Sequence, residues 1–159
     1  MQWSEVIDSP YFKNLPFKIE LNRYGKVEMT PASNKHGRLQ FQIGTLLESK
    51  LKKGEVLTEC SVQTTDGVKV ADVAWCSKAF IKQYGYETPY SQAPELCIEI
   101  VSPSNSKEEM TNKVQLYLQA GAKEVWIVWE NGIVDYYDQT GKLKLSSYGI
   151  NVTIPLYVE

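Results

Sequence analysis

Two acids stand inside apolar runs where an ionised carboxylate is costly. Asp72 lies in VKVADVAW, residues 68–75, and Glu99 lies in LCIEIV, residues 96–101. A buried carboxylate needs a partner, so acids in such runs are candidates for chemistry. If the runs are neighbouring strands with both acids on one face, the pair suits a divalent cation, Mg2+ or Mn2+. Hard ions take oxygen ligands, and magnesium is commonly held by one or two carboxylates. Main-chain carbonyls of the Glu99 run, Ile100 first, could add another oxygen. An ion held there could activate water and neutralise charge developing on a phosphodiester. Lys113 falls on the helix expected after Glu99, close enough to orient that water or to stabilise a transition state as a point charge. Spacing alone leaves the alternative open: period-two alternation puts polar strand residues on a solvated face. Lys113 and Tyr117, at i and i+4, also suit a solvated helix edge.

The elements that must position these side chains can be read along the chain. The first segment is a short helical turn and a loop punctuated by Pro10 and Pro16. Phe17, Ile19 and Leu21, then Val27 and Met29 beyond the Tyr24-Gly25 turn, alternate as a hairpin does. Ser33 or Asn34 can cap a helix from Lys35 to Lys53, in which Leu39, Ile43, Leu46, Leu47 and Leu51 recur at helical spacing. Gly54 supplies its stop, and its first turns carry His36, Arg38 and Gln40. A second hairpin turns at Thr65-Asp66-Gly67, and its second strand contains Asp72.

A strand at Pro94–Val101, a helix at Lys107–Ala120 and a strand at Glu124–Trp129 form a parallel crossover unit. Turns at Asn131-Gly132 and Thr140-Gly141 separate further strands, IVDYYD and KLKLSSYG. The closing VTIPLYV is expected as an edge strand because Pro155 cannot donate to a ladder. The fold class is α/β (α+β): one domain, residues 1–159, with a mixed central β-sheet flanked by helices.

Composition narrows the function classes. A net charge of −2 argues against a bulk electrostatic binder of nucleic acid, though not against a local basic patch. The three cysteines, Cys60, Cys76 and Cys97, form no CxxC and sit among apolar neighbours, as small buried hydrophobes do. With His36 as the single histidine, a zinc site is not expected. No apolar run approaches the roughly 20 residues of a membrane helix, and no basic-then-apolar leader opens the chain. A cytoplasmic location is the expectation.

Three stretches in order, KIELNRYGKVEMTPASNKHGRLQ, KVADVAWCS and PELCIEIVSPSNSKEEMTNKVQLYLQAGAKEVWIV, resemble the Uma-type restriction endonuclease family of the PD-(D/E)XK nuclease superfamily. The resemblance runs from about Phe17 to Trp129. It implies a restriction endonuclease-like core, DNA as substrate and Mg2+ or Mn2+ as cofactor. It places the metal-binding acids on Asp72 and Glu99, and the family's relocated lysine on Lys113. Glu20 matches an acid of the first strand, an accessory ligand or an exposed strand residue. His36 matches the histidine that opens the helix, with a contact to phosphate or water, or a capping role.

There are departures. The lysine position of the parent motif holds Val101, Ala71 replaces the proline before Asp72, and Glu109 stands where the family usually has aspartate. The resemblance also makes a homodimer an expectation, since a two-strand cut suits two-fold symmetry. The alternative is a nuclease-like nucleic-acid-binding or protein-interaction module without turnover.

Overall fold

The fold is that of a computed structural model, described for residues 1–152. Helix α1 (Trp3–Asp8) precedes a two-stranded antiparallel sheet of β1 (Phe17–Leu21) and β2 (Val27–Pro31). Helix α2 (Asn34–Lys50) follows, with the Ser33 side chain accepting the His36 N–H as an N-cap. Then come β3 (Gly54–Thr64), β4 (Gly67–Ser77), α3 (Lys78–Tyr84), β5 (Leu96–Ile100), α4 (Lys107–Gln119), β6 (Glu124–Val128), β7 (Val134–Asp138) and β8 (Gly141–Leu143).

Strands β3 to β8 form one sheet in chain order, antiparallel throughout except for the parallel β5–β6 pair. Helix α4 connects that parallel pair, as the strand–helix–strand pattern requires. Strand β5 is buried at every residue, which explains its continuous apolar run. Its side chains alternate between two cores. Cys97 packs with Val114, Tyr117 and Leu118 of α4. Leu96, Ile98 and Ile100 pack with Leu39, Ile43 and Leu47 of α2. Glu99 therefore shares the α4 side with Cys97. A third core of Trp3, Val6, Leu21, Val68 and Val70 seats α1 and the first hairpin on the start of β4. Gly67, at φ +75°, allows close approach there: a Cβ would collide with the backbone of Leu21 and Asn22.

Two expectations change. Helix α2 ends at Lys50 with Leu51 as its C-cap, so Gly54 is no helix stop. It opens β3, where a Cβ would overlap Cys76 and the Trp75 ring. The KLKLSSYG strand shrinks to three residues, because Ser146 turns the chain by accepting the Tyr148 N–H. The strand expected at VTIPLYV falls almost wholly outside the described residues. The three cysteines are free and buried, as expected.

Candidate active site

Strand β1 carries Lys18 and Glu20 two residues apart, so both side chains leave the same face of the strand. That face turns inward. Glu20 Oε2 accepts the Val70 N–H at 2.7 Å and Glu20 Oε1 accepts from Lys113 Nζ at 2.9 Å. Lys18 Nζ donates to Glu99 Oε2 at 2.8 Å and lies 3.2 Å from Asp72 Oδ1. Lys113 Nζ is also 3.5 Å from Glu99 Oε2. Two ammonium groups and three carboxylates thus converge, with Asp72, Glu99 and Glu20 all buried. The solvated-face alternative for Asp72 and Glu99 is removed by that burial.

The backbone around Asp72 is arranged for this. The β3–β4 ladder skips the pair Glu59–Asp72, and Glu59 takes the left-handed φ of +52°. The Asp72 carbonyl turns to Gln40 Nε2 instead, at 2.8 Å, and the same amide group donates to Glu59 Oε1 at 2.7 Å. A buried carbonyl that leaves its ladder needs such a donor. On the other side, β4 and β5 pair only over Val73–Trp75 and Leu96–Ile98. Beyond that, Asp72 Oδ2 accepts the Ile100 N–H at 2.7 Å. The Ile100 main chain, to which the sequence pointed, therefore borders the site, with its N–H on Asp72.

Electrostatics follows from the packing. Burial pushes the Asp72 carboxyl up, but the Lys18 charge, His36 and the Ile100 N–H together hold it well below the usual carboxylate range. Burial raises Glu99, and with Asp72 and Glu20 nearby it stays raised despite Lys113 and Lys18. Glu20 is lowered: against burial, Lys18, Lys113 and the Val70 N–H favour its charged form. Burial opposes the Lys18 charge, yet Asp72, Glu99 and Glu20 raise that amine well above its ordinary value. His36 Nε2 stands 3.3 Å from Asp72 Oδ2, and that contact raises the imidazole despite its burial.

Helix α4 supplies one more tether. Tyr117, one turn beyond Lys113 on the same helix face, donates its hydroxyl to Glu99 Oε1 at 2.6 Å. That leaves Glu99 Oε2 for the cations. Val101 packs in the core beside α4 and offers no charge to the cluster, whereas Lys113 does. Glu109 stands apart, accepting from Asn105 Nδ2 at 3.0 Å. The structure thus gathers Asp72, Glu99, Lys113, Glu20 and His36. It adds Lys18, which the sequence reading passed over.

A groove of about 440 Å³ lined by Glu20, Lys113, Lys69, Asn105 and Glu109 opens onto the cluster. A more apolar cleft of about 420 Å³, lined by Trp3, Phe12, Phe17 and Leu57 among others, receives none of the cluster's side chains. No group of three or more histidines, cysteines, aspartates or glutamates has metal-holding geometry among the described residues. The pair itself fits a divalent ion nonetheless. Asp72 Oδ1 and Glu99 Oε2 converge on one cation, the Lys18 ammonium. Asp72 Oδ1 is also buried without a hydrogen bond.

Residues 3–157 match the model of the Uma2 family, described as "Putative restriction endonuclease". The chain belongs to that family. A crystal structure described as a putative nuclease belonging to DUF820, from Anabaena variabilis, is similar to this Uma2 chain at 21% identity. The TM-score is 0.70, with 98% of this chain and 89% of that one covered. At that identity the likeness shows the fold, and it bears out the restriction endonuclease-like core. No curated protein matches the Uma2 chain at a significant level. No helix of the described residues is long and apolar enough to cross a membrane.

Proposed function

We propose that this Uma2 domain is a metal-dependent endonuclease that hydrolyses DNA phosphodiester bonds at the Asp72–Glu99 pair. The observation that carries the reading is the convergence of Asp72 Oδ1 and Glu99 Oε2 on one cation, beside Lys113, which with Glu20 lines an open groove. Asp72 and Glu99 would hold Mg2+ or Mn2+, with the Ile100 main-chain carbonyl as a further oxygen. When bound, the ion supplies Lewis-acid stabilisation of a phosphoryl oxygen and a water of lowered pKa.

The chain's own residues do the rest. Lys113, at the groove wall, positions the attacking water and offers positive charge where the phosphorane charge develops. Glu20 holds Lys113 in place from β1 through the 2.9 Å hydrogen bond. Tyr117 fixes the Glu99 carboxylate, while His36 and the Ile100 N–H fix Asp72. Holding reacting groups in one geometry is itself a large part of catalysis.

The test is a pair of measurements on the purified chain. Plasmid and single-stranded DNA should be cut with Mg2+ or Mn2+, and Asp72→Ala should abolish cutting. Manganese calorimetry should show binding that needs both Asp72 and Glu99. Metal binding without cleavage under any salt condition would favour a nuclease-like binding module. Full activity in Asp72→Ala would remove the site altogether.

A further inference from the structure

We propose that Lys18 is the resident counter-cation of the acid pair, displaced when a divalent ion binds, so that Lys18 sets the metal affinity of the site. The inference rests on the reading of Asp72 and Glu99 as metal ligands. The Lys18 ammonium lies 2.8 Å from Glu99 Oε2 and 3.2 Å from Asp72 Oδ1. A magnesium ion bound by the same two oxygens sits about 2.0–2.1 Å from each. The two cations cannot share that point, and their like charges repel across it.

The chemistry of the side chain suits displacement. Lysine carries a compact charge on a flexible stem, so its ammonium can leave while β1 stays in place. Glu20, on the same face of β1, is already tied to Lys113 and to the Val70 N–H, which keeps the strand anchored. Without any cation, Asp72 and Glu99 would be two buried carboxylates in mutual repulsion. Lys18 therefore stabilises the metal-free cluster and competes with the metal for it. A lysine with a structural role alone would aid folding without opposing the ion.

The two roles predict opposite changes in one variant. In Lys18→Met, the metal-free chain should melt lower while Mn2+ binds about tenfold tighter or more, because a competing charge is gone. Lys18→Arg, which keeps the charge, should stay near wild type in affinity. Calorimetric titration of the full chain with Mn2+, with folding checked by circular dichroism, reads both. Equal or weaker binding in Lys18→Met, with wild type binding the ion, overturns the proposal and leaves the metal site standing. No Mn2+ binding by either protein overturns the proposal together with the metal reading.

Should Lys18→Met fail to fold, the wild-type chain gives the answer. Acylation of Lys18 by an amine reagent, followed by mass spectrometry, should be low without metal and rise on saturation with Mn2+. Labelling that does not change on saturation overturns the displacement.

Discussion

Tyr117 donates its hydroxyl to Glu99 Oε1 at 2.6 Å, and both groups are buried. This bond divides the two oxygens of one carboxylate between two tasks. Oε1 is held by helix α4, while Oε2 faces Lys18 and Lys113. Tyr117→Phe should leave Oε1 buried without a donor, at a cost of about 1–3 kcal/mol. Urea denaturation at neutral pH measures it. A change within a few tenths would show that Oε1 finds another partner. Cleavage should fall as well, because the Lys18 and Lys113 contacts at Oε2 then hold the carboxylate alone.

Lys113→Met should remove the cation that Glu20 Oε1 accepts from and that Glu99 Oε2 faces. Losing one partner of a buried pair costs about 3 kcal/mol or more, with the exposed part of Lys113 reducing the figure. Cleavage should drop at least about a hundredfold, the scale for a positioned charge at a transition state. Mn2+ affinity should not weaken, since Lys113 is no ligand. Rates near wild type in a folded Lys113→Met protein would relieve Lys113 of its role.

The His36 contact with Asp72 predicts a pH signature. The imidazole is raised above its ordinary value of 6.5. The folded state therefore favours the protonated ring, and its contribution is full below 6.5. It is lost as pH rises through the raised value. Unfolding free energies of wild type and His36→Gln, taken between about pH 5 and 8, should differ most at the acid end. A difference that grows with pH would contradict the pairing.

Gln40 makes a structural prediction of its own. Its amide group bridges the Asp72 carbonyl and Glu59, where the ladder skips a pair. Gln40→Leu should cost about 1–3 kcal/mol through the unsatisfied carbonyl. It should also slow cleavage by letting Asp72 shift, while Gln40→Glu should not rescue it, because a carboxylate cannot donate. Rescue by Gln40→Glu would show that donation is irrelevant there.

Much of this was legible from the chain. Asp72 and Glu99 stood out because each interrupts an apolar run, and the structure buries both on adjacent strands. The helix bearing Lys113 and Tyr117 was placed nearly to the residue. Lys18 was not legible, for a physical reason. On β1 the alternation of Phe17, Ile19 and Leu21 marks those as the inward face, which sends Lys18 and Glu20 to solvent. In the fold both faces are covered: Leu21 is buried with Ile19 packed beside it, while Glu20 and the Lys18 side chain are buried on the other face. The second face is covered by partners far along the chain, Glu99 and Lys113, and no local pattern encodes them. Gly54 was misread likewise: a glycine after Lys52-Lys53 reads as a helix stop, yet it is required by the Trp75 ring across the ladder.

The most direct test of the central claim is plasmid cleavage in Mg2+ or Mn2+ by wild type, Asp72→Ala, Glu99→Gln and the double variant Asp72→Ala/Lys113→Met, all verified as folded. Groups acting as one unit lose activity non-additively. Each single acid variant should therefore lose nearly all cleavage, and any residual rate of Asp72→Ala should fall no further in the double variant. Cleavage by Asp72→Ala or Glu99→Gln at the wild-type rate would contradict the assignment of catalysis to this pair.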